Sequence, residues 1–191
     1  MAVHSGDREH WAKIAFIAGL AERHWGNYAL YCDTIDAAAN AQQWRKILNK
    51  VWEYLAGQLN SMKNLEKALL QLDSLTPEPQ EDDSYGVYPA LDACLLLTSA
   101  LQMILDDSID DTATAANLSK ATVANFIALS QDIDAFDPEQ AQHDLYDAEL
   151  QWHQHLLQQL HSGGSKSDLV RDLRRDISDF DSSNLGIALE A

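Results

Sequence analysis

The sequence predicts an all-α fold, a single-domain helical bundle of about eight helices over residues 1–191. Apolar residues recur every three or four positions through most of the chain, and no pair of alternating strands is visible. Capping and stop signals separate the apolar stretches. With 191 residues, 46% of them hydrophobic, the chain is long enough to bury one substantial core.

The first four helices are predicted before Pro77. Ile14–Ala21 is apolar on every face, which is typical of a helix surrounded by others, so we expect the first helix to be central. Trp25–Asn27 interrupts the pattern, and a short second helix is expected beyond it. The predicted spans are 7–24, 28–36, 39–56 and a segment that follows residue 57 and ends before residue 77.

A polar, acidic segment with two prolines, residues 73–84, is the clearest linker. Because either flanking part alone would be a thin domain, we interpret it as an exposed connection within one domain. Four helices are predicted after it, at 85–105, 112–130, 137–162 and from residue 167 onward. Asp137 and Pro138 form the start signal of the 137–162 helix, and the apolar segment 182–189 is expected to dock on the bundle.

The charge balance restricts the possible partners. Thirty acidic residues against 13 basic ones give a net charge of −17, which repels phosphate backbones and anionic lipids. We therefore expect neither nucleic-acid nor membrane binding. The chain shows no secretory signal, its longest apolar run (14–21) is too short to cross a bilayer, and its two cysteines have no metal or disulfide spacing. A cytoplasmic location is expected.

Several motifs resemble functional sites but favour structural interpretations. Residues 106–111 contain a DDxxD spacing that could hold Mg²⁺, yet no second acidic motif accompanies it, so we predict helix capping. Residues 132–137 lack the glycine and glutamate of a calcium loop. His153 lies on an apolar stripe and is expected to be a hydrogen-bonded core residue. No metal, cofactor or catalytic constellation is indicated, and whether the protein is an enzyme stays open.

Asp92 is the highest-ranked candidate for a functional residue. It is the only charged side chain in the apolar segment 85–105, so a buried carboxylate there would need a partner, and Arg23 is the natural candidate. The pair could lock two helices together or line a small polar pocket. The residues of the candidate polar cluster are Glu22, Arg23, Asn27, Tyr28, Tyr85, Tyr88 and Asp92.

The same segments carry a family resemblance. The elements are Trp11 and Phe16, Glu22-Arg23, Asn27-Tyr28-Ala29, Tyr85-Gly86-Val87-Tyr88-Pro89-Ala90-Leu91-Asp92-Ala93-Cys94, and Ser183-Asn184-Leu185-Gly186-Ile187. Together they resemble the YjaG-like bacterial proteins, a domain family of unknown function, from about Trp11 to Ile187. The resemblance implies an all-helical cytoplasmic protein and brings no established activity, substrate or cofactor.

Two functional hypotheses follow. The first is a non-enzymatic helical interaction or regulatory module that binds an unknown protein partner or self-associates. The alternative is a small-molecule-binding protein or enzyme with a polar pocket around Asp92 and Arg23.

Overall fold

The first helix lies at the centre of the fold; five further helices pack against it, and the third helix packs against the second and the fourth. The computed structural model describes residues 5–80, 84–179 and 182–188, and these contain seven helices. They are α1 (Ser5–Thr34), α2 (Ala38–Leu55), α3 (Met62–Asp73), α4 (Val87–Leu105), α5 (Thr112–Ser130), α6 (Asp144–His161) and α7 (Lys166–Ser178). The predicted all-α bundle is confirmed, with one helix fewer than the sequence indicates. Residues 81–83 of the acidic linker lie outside the described residues.

The core is built along the contact between α1 and α4, the most extensive helix pair in the fold. Ile14, Ile17 and Leu20 of α1 are fully buried, as the all-round apolar pattern predicts. Helix α4 is long and apolar enough to cross a membrane by length and composition alone, but 61% of its apolar window is buried inside the fold. That burial is also typical of the core helix of a globular bundle.

Helix α1 is continuous, so the predicted break at residues 25–27 is wrong. Gly26 does not stop the helix; it allows the segment 182–188 to approach it closely. A Cβ atom at Gly26 would lie 3.0 Å from Ser183 Cβ and 3.1 Å from the Ile187 carbonyl oxygen. A glycine inside a helix costs about 1 kcal/mol relative to alanine, and here it permits a tertiary contact that alanine would obstruct.

The predicted start of the 137–162 helix is also wrong, because α6 begins at Asp144. Asp137 caps only a short turn, in which the Glu139 amide donates to Asp137 Oδ1 at 2.9 Å. The chain then folds back, so that the Phe136 and Tyr146 rings pack with their centroids 5.4 Å apart. In an unbroken helix these residues would be separated by about 15 Å along the axis. Burying Phe136 therefore requires the helix to begin later.

Candidate functional site

The predicted polar cluster is dispersed around α1 instead of forming one site. Glu22 accepts hydrogen bonds from Arg45 and from Trp52 Nε1 of α2, the latter at 2.7 Å. Tyr28 donates its hydroxyl to the Leu75 carbonyl oxygen at 2.8 Å. Both contacts join α1 to neighbouring parts of the bundle, away from Asp92, and indicate structural roles.

The predicted ion pair between Arg23 and Asp92 is not formed. Asp92 Oδ2 accepts a hydrogen bond from Thr122 Oγ1 of α5 at 2.7 Å. Arg23 is buried, with its guanidinium 5.4 Å from the centre of the Trp152 ring, and it interacts electrostatically with Glu149. Neither Thr122 nor Glu149 is among the site residues that the sequence predicts, because both come from helices whose packing against α1 and α4 is a tertiary feature.

Asp92 is only half-buried, yet its surroundings disfavour its charge. Burial raises the pKa of Asp92, and the Thr122 hydrogen bond opposes this effect only in part. A carboxyl group whose pKa is higher in the folded than in the unfolded state makes folding less favourable as the pH rises through the range between these two pKa values. The stability penalty of Asp92 is therefore absent below the ordinary aspartate pKa and grows as the pH rises toward the raised pKa of the folded state.

We expect Asp92→Asn to raise the melting temperature at pH 7.5, because the amide keeps a hydrogen-bond acceptor for Thr122 and carries no charge. The gain should shrink as the pH falls toward 4, near the ordinary aspartate pKa. Asp106→Asn is the control: it removes the same charge from an exposed carboxylate whose pKa Ser108 lowers by hydrogen bonding. Equal stabilisation by both variants in thermal melts would contradict the prediction.

Glu149 of α6 is the most deeply buried carboxylate among the described residues, only 1% exposed. It accepts hydrogen bonds from Ser119 Oγ and from His153 Nε2, the second at 3.0 Å. Burial alone would raise the pKa of Glu149, but these hydrogen bonds and the neighbouring His24 hold it below its usual value. Glu149 is thus the negative centre of the core, and His153 is the hydrogen-bonded core residue that the sequence predicts.

A chain of hydrogen bonds runs from His24 to Asn27 through the docked segment 182–188. His24 Nδ1 lies 2.9 Å from the Leu20 carbonyl oxygen, which can only accept, so Nδ1 carries the proton. Burial lowers the pKa of His24, which leaves Nε2 as an acceptor for Asn184 Nδ2 at 3.1 Å. Asn184 Oδ1 in turn accepts from Asn27 Nδ2 at 2.8 Å. The histidine tautomer therefore fixes both amide orientations.

The orientation of Asn27 leaves its Oδ1 atom buried without a hydrogen-bond partner among the described residues. Asn27 also lines a cavity of about 260 Å³ between the C-terminal half of α1, the start of α4, α5 and the segment 182–188. Of the predicted cluster, this cavity brings together only Asn27 and Tyr85. Asn184 was missed as a site residue, although it belongs to the Ser183–Ile187 motif that carries the resemblance.

The acidic segment 106–111 forms the turn between α4 and α5, and the predicted capping is formed only in part: the N-cap residue Asp111 makes no side-chain cap hydrogen bond, whereas Asp110 accepts from the first amide of α5. Ser108 donates its backbone amide to Asp106 Oδ1 at 2.9 Å, and Thr112 donates its amide to Asp110 Oδ1 at 3.2 Å. Asp110 also pairs with Lys13 at 3.1 Å. Across the part of the chain that the structure describes, no three His, Cys, Asp or Glu side chains are grouped so that they could hold a metal ion.

Comparison with known proteins places the chain in a family. Over 184 residues it is 29% identical to an uncharacterised protein of Haemophilus influenzae, covering 94% of this chain and 92% of that one. It is 27% identical over 186 residues to the uncharacterised Escherichia coli protein YjaG, covering 95% and 93%.

A solved structure and a family model agree with these sequence matches. The crystal structure of a DUF416 family protein from Shewanella baltica superposes with a TM-score of 0.80 at 28% identity, covering 98% of this chain and 100% of that chain. The family model described as "Protein of unknown function (DUF416)" matches residues 7–188. The chain therefore belongs to the DUF416 family.

Proposed function

We propose that this chain is a non-enzymatic interaction module of the cytoplasm, which binds a protein partner through the outward face of α4 and α5. The observation that carries the proposal is the exposure of large apolar side chains on helices that are otherwise core-forming. Tyr88 and Leu95 of α4 are 49% and 40% exposed, and Leu129 of α5 is 56% exposed. We call this surface the α4/α5 face; it comprises Tyr88, Leu91, Asp92, Leu95, Phe126 and Leu129.

Helical spacing and contacts support the continuity of this face. Tyr88 and Leu95 are two turns apart on one side of α4, with Asp92 between them. Thr122, which contacts Asp92, shares a side of α5 with Phe126 and Leu129, because four and seven residues separate them. An apolar patch of this kind on a folded protein marks an interaction site.

The charge of the face favours a partner of a particular chemistry. Asp92 is the only charged residue of the face, whereas the chain as a whole carries −17. Two copies of so acidic a chain repel each other, which disfavours self-association. A partner that places one lysine or arginine opposite Asp92, surrounded by apolar side chains, would compensate the charge that the interface buries.

Leu95→Glu tests the proposal, because it puts a charge at the centre of the α4/α5 face, at a side chain that is 40% exposed. Leu70→Glu is the matched control, since Leu70 of α3 is 74% exposed and lies outside the face. In affinity capture at physiological salt, we expect wild type and Leu70→Glu to recover the same stoichiometric partner. Leu95→Glu should bind it at least about tenfold more weakly, equivalent to about 1.4 kcal/mol.

Three results would overturn this function. Equal recovery of the partner by Leu95→Glu would show that the α4/α5 face does not take part in binding. Failure of wild type to recover any stoichiometric partner would show that the chain is not an interaction module. Sedimentation velocity supplies the third: a dimer of wild type that Leu95→Glu dissociates would assign the face to self-association instead.

A further inference from the structure

We propose that a groove between α1 and α2 binds a short peptide whose two termini are free and charged. The groove has a volume of about 540 Å³. We call it the α1/α2 groove; its lining includes Trp25, Ala29 and Asp33 of α1 and Gln42, Arg45 and Lys46 of α2. The inference goes beyond partner binding, because no residue of the α4/α5 face lines this groove.

The two ends of the α1/α2 groove carry opposite charges. Helices α1 and α2 are antiparallel neighbours, since only residues 35–37 connect them. The guanidinium of Arg45 lies 5.6 Å from the centre of the Trp25 ring, so Lys46 and Trp25 share one end of the groove. Asp33 follows Trp25 by eight residues, about 12 Å along the axis of α1. The groove is therefore cationic at the Lys46 end and anionic at the Asp33 end.

These end charges are available to a ligand. Arg45 is already paired with Glu22, whereas neither Lys46 nor Asp33 forms an ion pair with another residue that the structure describes. A ligand with a cation at one end and an anion at the other complements both, and a ligand of one charge complements only one. The two charges of a free amino acid are too close together. An extended peptide spans about 3.3–3.6 Å per residue, so about three residues match the groove.

The middle of the groove suits the body of a peptide. Gln42 lies one helical turn before Lys46, on the same side of α2. Its side-chain amide makes no hydrogen bond with the described residues and can both donate to and accept from a peptide backbone. The Trp25 ring is half-buried and offers an apolar wall against which an aromatic side chain packs. The peptide amine then lies at Asp33 and its carboxylate at Lys46.

The tripeptide alanyl-phenylalanyl-alanine is the probe, measured by NMR titration of the full chain at pH 6.5, where both peptide termini are charged. We expect it to bind saturably. Acetylating its amine or amidating its carboxylate should each weaken binding about threefold, as befits a partly exposed ion pair, and both caps together about tenfold. Failure of the free tripeptide to saturate the protein would overturn the site, and equal binding of the doubly capped peptide would overturn the recognition of its termini.

Two exposed substitutions assign each terminus to its end of the groove. Lys46→Gln should bind the amidated and free tripeptides equally while still discriminating against acetylation, and Asp33→Asn should show the opposite pattern. Lys67→Gln and Asp73→Asn make the same chemical changes on the exposed side of α3 and should keep both discriminations. Unchanged discrimination in Lys46→Gln and Asp33→Asn would place the peptide elsewhere on the protein and overturn the proposal.

Discussion

Glu149→Gln is expected to destabilise the fold by about 3 kcal/mol, since removing the charge of one member of a buried, hydrogen-bonded charged cluster is strongly destabilising. Glutamine still offers an oxygen to Ser119 and His153, but it loses the electrostatic attraction to the buried Arg23. The loss is therefore mainly electrostatic, and it concerns the point where α1, α5 and α6 meet.

Urea unfolding at pH 7.5 measures this effect as a change in the free energy of unfolding. Glu66→Gln on the exposed side of α3 makes the same chemical change at the surface and should stay within about 0.5 kcal/mol of wild type. A loss in Glu149→Gln no larger than in Glu66→Gln would show that Glu149 does not hold the core charges together.

Trp44→Ala is expected to cost about 3–5 kcal/mol, the range for deleting a large aromatic side chain from a packed core. Trp44 of α2 has no exposed surface, and its ring stacks between those of Trp25 and Tyr28, each with a centroid distance of 5.5 Å. The deletion would open a cavity and also remove both stacking contacts, which join α2 to α1.

Trp44→Phe provides the graded comparison, because it keeps an aromatic ring between the two neighbours. Its loss of unfolding free energy should be clearly smaller than that of Trp44→Ala in the same urea titration. In a chain of this size each kcal/mol corresponds to about 2–4 °C in melting temperature, so thermal melts should rank the two variants identically. Equal losses would mean that the stacking arrangement contributes little.

Much of the fold could be predicted from local sequence patterns. The apolar periodicity gives the span of α5 and the burial of α1, and the glycines after α6 mark its end, where Gly163 has a positive φ of 79°. These features depend on residues that are close in sequence. The error at Gly26 arises because a distant segment, 182–188, packs against it, and the error at the start of α6 arises because the chain folds back to pack Phe136 against Tyr146.

The polar interior was harder to predict, because its partners are far apart in the chain. The position of Asp92 in an apolar helix predicts a charged partner, yet a threonine 30 positions away provides the hydrogen bond. Glu149 could have been found from its spacing to His153, since four residues place both on one side of α6. That spacing alone does not indicate whether the side is buried.

The docking of residues 182–188 has a consequence for the synthesis of this protein. Asn184 follows His24 by 160 positions, so the imidazole of the central helix receives this hydrogen bond only after all of the intervening residues have been synthesised. While residues 182–188 are still inside the ribosome, His24 and Asn27 lack their amide partner. The polar interior of the nascent bundle is therefore incomplete until this segment has emerged.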